Sequence, residues 1–137
     1  MKLPHILAAV ATIIPVLAWS PAPEQEDEPT HRVLVFTKTA GFRHSSIPDG
    51  VEAVRKIGES RGWAIEHTED SETFTEENLA DYDAVVFLST TGDVLDDAQQ
   101  EAFEKFIQSG KGYMGIHAAA DTEYDWPWYA SLVGAQF

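Results

Sequence analysis

From Arg32 onward, short runs of β-branched and aromatic residues alternate with stretches whose apolar residues fall at helical spacing. That alternation is the signature of βα units around a parallel sheet. Residues 33–36 (Val-Leu-Val-Phe) are apolar without interruption, as in a strand covered on both faces. Ile47, Val51, Val54 and Ile57 then recur at helical spacing. Ser46, with Asp49 three residues on and Pro48 in the first turn, predicts where this helix starts, and Gly62 predicts its end. Trp63–Thr68 reads as a more polar strand nearer an edge, and residues 75–79 as a short capped helical turn. Ala84–Leu88 is the clearest strand of all. A second long helix places Leu95, Ala98, Ala102, Phe106 and Ile107 on one face, is led by acids that suit its N-terminus, and stops at Gly110. Gly112–Ile116 is the fourth strand.

These elements predict an α/β fold, a three-layer α/β/α flavodoxin-like parallel sheet with strand order 2-1-3-4. In such sheets the functional loops lie beyond the carboxyl ends of the strands, where the strand order reverses. Three loops should therefore converge: residues 37–44, 89–93 and 117–121.

The N-terminal residues have a different character. Lys2 precedes an apolar run from Ile6 to Leu17, followed by Val16-Leu17-Ala18 as a small-residue cleavage site. Residues 1–18 read as a secretory signal peptide, too short to span a bilayer comfortably, and imply a secreted or periplasmic protein. Residues 19–31 read as an acidic, proline-rich linker, and the folded domain as residues 32–137. The 9 Lys and Arg against 23 Asp and Glu set a net charge of −14, one unit more negative once Lys2 is removed. So acidic a chain is not expected to bind nucleic acid or an anionic membrane. The absence of cysteine excludes disulfides, thiolate metal sites, a cysteine nucleophile and a lipid-anchored N-terminus.

Candidate chemistry concentrates on the three loops. His44 and His117 should come together, with Asp121 and Asp93 close by; a histidine oriented by a carboxylate works as a general acid or base near neutral pH. Small residues flank His117 in Gly115-Ile116-His117-Ala118-Ala119, as a strand-to-helix elbow requires if its apex residue is to be presented to solvent. Thr39, Arg43, Thr91 and Gly92 lie on the same loops as candidate substrate contacts. His44, His117 and Asp121 would alternatively make a three-ligand metal site with an open position, although no HxH or HExxH spacing marks one. GxGxxG and GxxxxGK[ST] are both absent, so neither a nucleotide nor any other cofactor is expected. Residues 124–129 hold four aromatics and an acid. They suit either a carbohydrate platform or a clasp packing the loop onto the sheet, with Trp126 and Tyr129 the candidates for doing both.

Three stretches in order carry a family resemblance: Phe36-Thr37-Lys38-Thr39-Ala40-Gly41-Phe42-Arg43-His44-Ser45-Ser46-Ile47, then residues 83–93, then 115–122 with Trp126-Pro127-Trp128-Tyr129. Residues 32–137 resemble the ThuA-like domain, named after trehalose-utilisation proteins. The resemblance implies a fold related to class I glutamine amidotransferases, whose elbow holds a cysteine. His117 stands at that position here, so amidotransferase activity is not implied. It implies a small-molecule carbohydrate ligand, of the trehalose-type disaccharides or their keto forms. It further implies association with additional domains or other copies of the chain. The family's domain continues with further strands and helices, so the chain is expected to be a fragment that exposes an apolar face or edge near the fourth strand. Three functional readings stand at this point: a sugar-acting enzyme, a non-catalytic carbohydrate-binding domain and a metal-dependent hydrolase.

Overall fold

A computed structural model describes residues 28–137; the residues read as a signal peptide, and most of those read as a linker, lie outside the described residues. The elements are β1 (His31–Phe36), α1 (Ile47–Arg61), β2 (Trp63–Thr68), a 3₁₀ turn (Ser71–Thr73), α2 (Glu76–Leu79), β3 (Ala84–Leu88), α3 (Asp97–Gln108), β4 (Gly112–Ile116), a second 3₁₀ turn (His117–Asp121) and α4 (Pro127–Val133). The four strands form one parallel sheet in the order β2-β1-β3-β4, with Phe36 level with Phe87 and Phe87 level with Gly115. The chain is thus α/β with the strand order the flavodoxin-like reading requires.

Because side chains alternate along a strand, each apolar strand feeds two cores. Leu34, Phe36, Val85 and Phe87 face α2, α3 and α4 in an aromatic core with Phe74, Phe103, Phe106 and Tyr129. Val33, Val35, Val86 and Leu88 face α1 through Ile47 and Val51.

Local details depart from expectation in four places. Ser46 precedes α1 but has helical angles (φ −80°, ψ −5°) and its side chain makes no capping bond, because a cap must be extended for its oxygen to reach back to the first turn. Ile57 is half exposed, while Gly58 is buried, since a Cβ there would come within 2.3 Å of Ile65 Cγ1. Ala98 faces solvent; the buried stripe of α3 is Gln99, Ala102, Phe103 and Phe106, and the helix starts from a capping box between Asp96 and Gln99. The sequence reading had no helix at α4, where Pro127 opens the first turn and Gly134 closes the last with φ 85°.

The α1 face of the sheet is incompletely covered. α1 packs on β1, β2 and β3, so the same face of β4 lies beside a groove of about 350 Å³ lined by Val54, Ile57, Ile65, Val86, Met114 and Ile116. Met114 is 57% exposed. The apolar face expected beside the fourth strand is present. Among the described residues no helix is long and apolar enough to cross a membrane.

Candidate functional site

The loops leaving β1 and β3 continue the sheet's pairing past its end. Thr39 and Thr91 form an isolated parallel bridge, and the backbone N–H groups of Ala40 and Gly41 both donate to the Thr91 carbonyl, at 2.7 and 3.2 Å. The Thr91 hydroxyl donates to the Phe42 carbonyl at 3.0 Å. Next, Gly92 bridges to Thr122, donating to the Asp121 carbonyl at 2.8 Å and accepting from the Glu123 N–H at 3.2 Å. Glycine is required at position 92 twice over: φ is 71°, and a Cβ would lie 3.2 Å from both Ala40 Cβ and Gly41 N. The three loops therefore converge as the topology demanded. Two of the expected substrate contacts are used up in this. Thr91 is buried with its hydroxyl committed to Phe42, and Gly92 serves as the hinge of the ladder.

Beyond β4 the chain turns sharply. His117 follows the last strand residue with φ 55°, and Ser89 follows β3 in the same way with φ 53°. Left-handed backbone at a residue with a side chain costs about 1–2 kcal/mol, so surrounding structure must impose it. That frame is small-residue packing: Ala118 and Ala119 are buried, and a Cβ on Gly115 would fall 2.8 Å from the Tyr113 hydroxyl and 3.1 Å from Ala119 Cβ. The Ser89 N–H also donates to the Ile116 carbonyl at 3.0 Å. His117 is left exposed at the apex, with its ring centroid 4.5 Å from that of the half-buried His44 at an interplanar angle of 67°. Phe42 meets His44 edge-on at 4.9 Å.

The expected carboxylate partners are elsewhere. Asp121 accepts a 2.6 Å hydrogen bond from the Tyr124 hydroxyl, and Asp93 is exposed. Among the described residues the one histidine within 4.0 Å of a carboxylate is His31, beside Asp83 at 3.4 Å. No group of three His, Cys, Asp or Glu side chains among the described residues is placed to hold a metal ion, which removes the geometric basis of the His44–His117–Asp121 site.

With this geometry in view, the comparisons with known proteins can be read. The ThuA family model, described as trehalose utilisation, matches residues 32–137. The chain belongs to the ThuA family. It is also similar to a solved structure from Bacteroides uniformis described as a ThuA-like protein, at 23% identity and a TM-score of 0.66, covering 84% of this chain and 47% of that one. The chain thus spans about half the length of that structure, and at this identity the likeness speaks for the fold. No curated protein matches the chain. At the level of the family, the role is carbohydrate utilisation.

In this ThuA chain the aromatic segment after the elbow is a clasp. Tyr129 is fully buried; its hydroxyl donates to the Ala119 carbonyl at 2.8 Å and lies 2.8 Å from that of Tyr113. Burial pushes the Tyr129 phenol upward, so it stays protonated. Trp126 is half buried and stacks on Trp128 and Tyr129. A substrate-stacking role for Tyr129 is incompatible with this burial, and the face Trp126 gives to Tyr129 is not free. The reason is α4, which turns the segment inward against Phe103.

Several site residues had no signal in the sequence. Glu123 is buried with φ 56°; one carboxylate oxygen accepts from the backbone N–H groups of Val94 and Leu95 at 2.7 and 2.8 Å, and the other from Gln100 at 2.7 Å. Burial raises its pKa, against the lowering effect of those hydrogen bonds. Lys38 donates to the Ser71 hydroxyl at 2.6 Å and the Val94 carbonyl at 3.3 Å, joining the first loop to two others. Arg43, read as a substrate contact, makes a two-pronged pair with Glu69 at 2.9 and 2.7 Å, and the Arg43 hydrogen bond holds that carboxyl below its usual range. His67 shares a 2.7 Å hydrogen bond with the buried Thr37; desolvation first, then the charge of Arg55, lower its pKa. All of these are long-range pairs, invisible to spacing along the chain.

Proposed function

We propose that this ThuA-family chain binds a trehalose-type disaccharide or its keto derivative at the loop end of the sheet, with His117 as general acid or base and His44 as its neighbour. The observation that carries the reading is the exposed His117 imidazole, held at φ 55° on a small-residue elbow and 4.5 Å from the ring of His44. An exposed imidazole can exchange a proton with a bound hydroxyl or carbonyl. Its family membership supports a carbohydrate as the substrate. Reading the first eighteen residues as a signal peptide supports an activity outside the cytoplasm.

The test is turnover of trehalose and of keto-disaccharide by the purified protein. His117→Ala should abolish turnover while leaving folding intact, and undiminished turnover would sink the assignment. A second reading, a carbohydrate-binding domain without chemistry of its own, is favoured by one observation: neither histidine is oriented by a carboxylate. It predicts binding of the same sugars by the wild type with no turnover.

A further inference from the structure

Phe42 is 70% exposed on a loop that is otherwise tied down on both sides. Ala40 and Gly41 before it are bonded to the Thr91 carbonyl, its own carbonyl accepts from the Thr91 hydroxyl, and Arg43 after it is locked to Glu69. The first set of ties runs to the loop after β3 and the last to the end of β2. A phenyl ring left in water forgoes the free energy that burial would return, and here rigid backbone keeps it there. Its edge contact is with His44, which in turn meets His117, so the three rings form a row that ends at the elbow. Of the aromatics that sequence offered for a platform, Tyr129 is in the core and Trp126 stacks on its neighbours, while Tyr124 is 46% exposed with its hydroxyl tied to Asp121.

We infer that Phe42 is the stacking face for the sugar ring whose neighbouring hydroxyl or carbonyl reaches His117, a deduction that rests on the functional reading above. An aromatic face holds a pyranose through its axial C–H groups, so it favours a ring with an unbroken apolar face. In the α-linked rings of trehalose the axial glycosidic oxygen occupies the H3/H5 side and leaves the H2/H4 side unbroken; an axial 4-hydroxyl interrupts that side. Phe42 then contributes selectivity as well as affinity, and Arg43–Glu69 contributes the rigidity that holds the ring in place.

Calorimetric titration of the full chain with trehalose and with its galacto-configured analogue, for wild type, Phe42→Ala and Phe42→Trp, tests this. The expectation is preference for trehalose in the wild type, a loss of about tenfold or more in trehalose affinity in Phe42→Ala, and retained affinity in Phe42→Trp. Thermal stability should match the wild type in both variants. If the wild type binds trehalose and Phe42→Ala binds it equally well, the stacking role is wrong while the reading of the site survives. A wild type that binds neither sugar overturns both.

Discussion

Two groups of aromatic rings lie on the segments that follow β1 and β4, and they have opposite fates. Trp126, Trp128 and Tyr129 pack with Phe103 and Phe87 in the core beneath α3 and α4. Phe42, His44 and His117 touch one another at the surface of the loop end. Composition favoured the first group as the ligand platform, because it is denser. What separates the groups is the backbone that carries them. A helix opened by Pro127 rolls one set against the sheet, while the bridge at Thr39 and Thr91 and the left-handed His117 hold the other set out. Density of aromatic residues therefore measures burial potential, and exposure on rigid backbone is the better sign of a binding face.

The sharpest way to break this contrast is to truncate a ring in each group. Tyr129→Ala should cost about 3–5 kcal/mol in denaturant unfolding, the range for removing a large buried aromatic, since it empties the core and leaves Tyr113 without its hydroxyl partner. A loss below about 1 kcal/mol would show that Tyr129 is not a core residue. Phe42→Ala, by contrast, should leave stability within about 0.5 kcal/mol.

A smaller effect belongs to the clamp joining the two regions. Glu123→Ala should destabilise by about 1–3 kcal/mol, because the N–H groups of Val94 and Leu95 lose their acceptor. Glu123→Gln keeps an acceptor oxygen and isolates the charge. Burial places the folded pKa of Glu123 above the ordinary 4.5, so its favourable contribution is full below that pH and declines as pH rises through the folded value. The stability of wild type relative to Glu123→Gln should therefore fall as pH is raised from 4.5, in chemical unfolding followed at several pH values. A difference that is flat with pH, or that grows, contradicts the burial argument.

A further effect probes the elbow. With φ at 55°, His117→Gly should be more stable than His117→Ala by about 1 kcal/mol, because only glycine adopts that angle without strain. Equal stability of the two variants would mean that the turn relaxes when the imidazole is removed.

Much of the architecture was legible before any coordinates. β2, β3 and β4 run over the residues that their apolar runs marked, the α1 stop at Gly62 has the expected left-handed angle (φ 68°), and the cap of α2 by Thr75 is made. These are local effects, decided by residues within one turn or one strand of each other. Even the convergence of His44 and His117 followed from strand order alone. Errors arose where a residue's neighbours come from elsewhere in the chain: Ile57 gave up its place to Gly58 because Ile65 of β2 needed the room, and Ala98 faced outward because Phe103 took the centre of the aromatic core.

The sequence by itself determined the periodicities, the terminators and the small-residue frame around His117, since each depends on backbone sterics and hydrophobic spacing within a short stretch. Only the tertiary structure decided what the polar side chains are for. Asp121 went to Tyr124, Arg43 to Glu69, Thr91 to Phe42 and Glu123 to Val94 and Leu95, each over a separation that spacing cannot report except the first. A hydrogen bond is satisfied by whichever partner packing brings within about 3 Å, and packing is a property of the whole chain. The two imidazoles kept their place at the surface because every acid expected beside them had found another partner or remained in solvent.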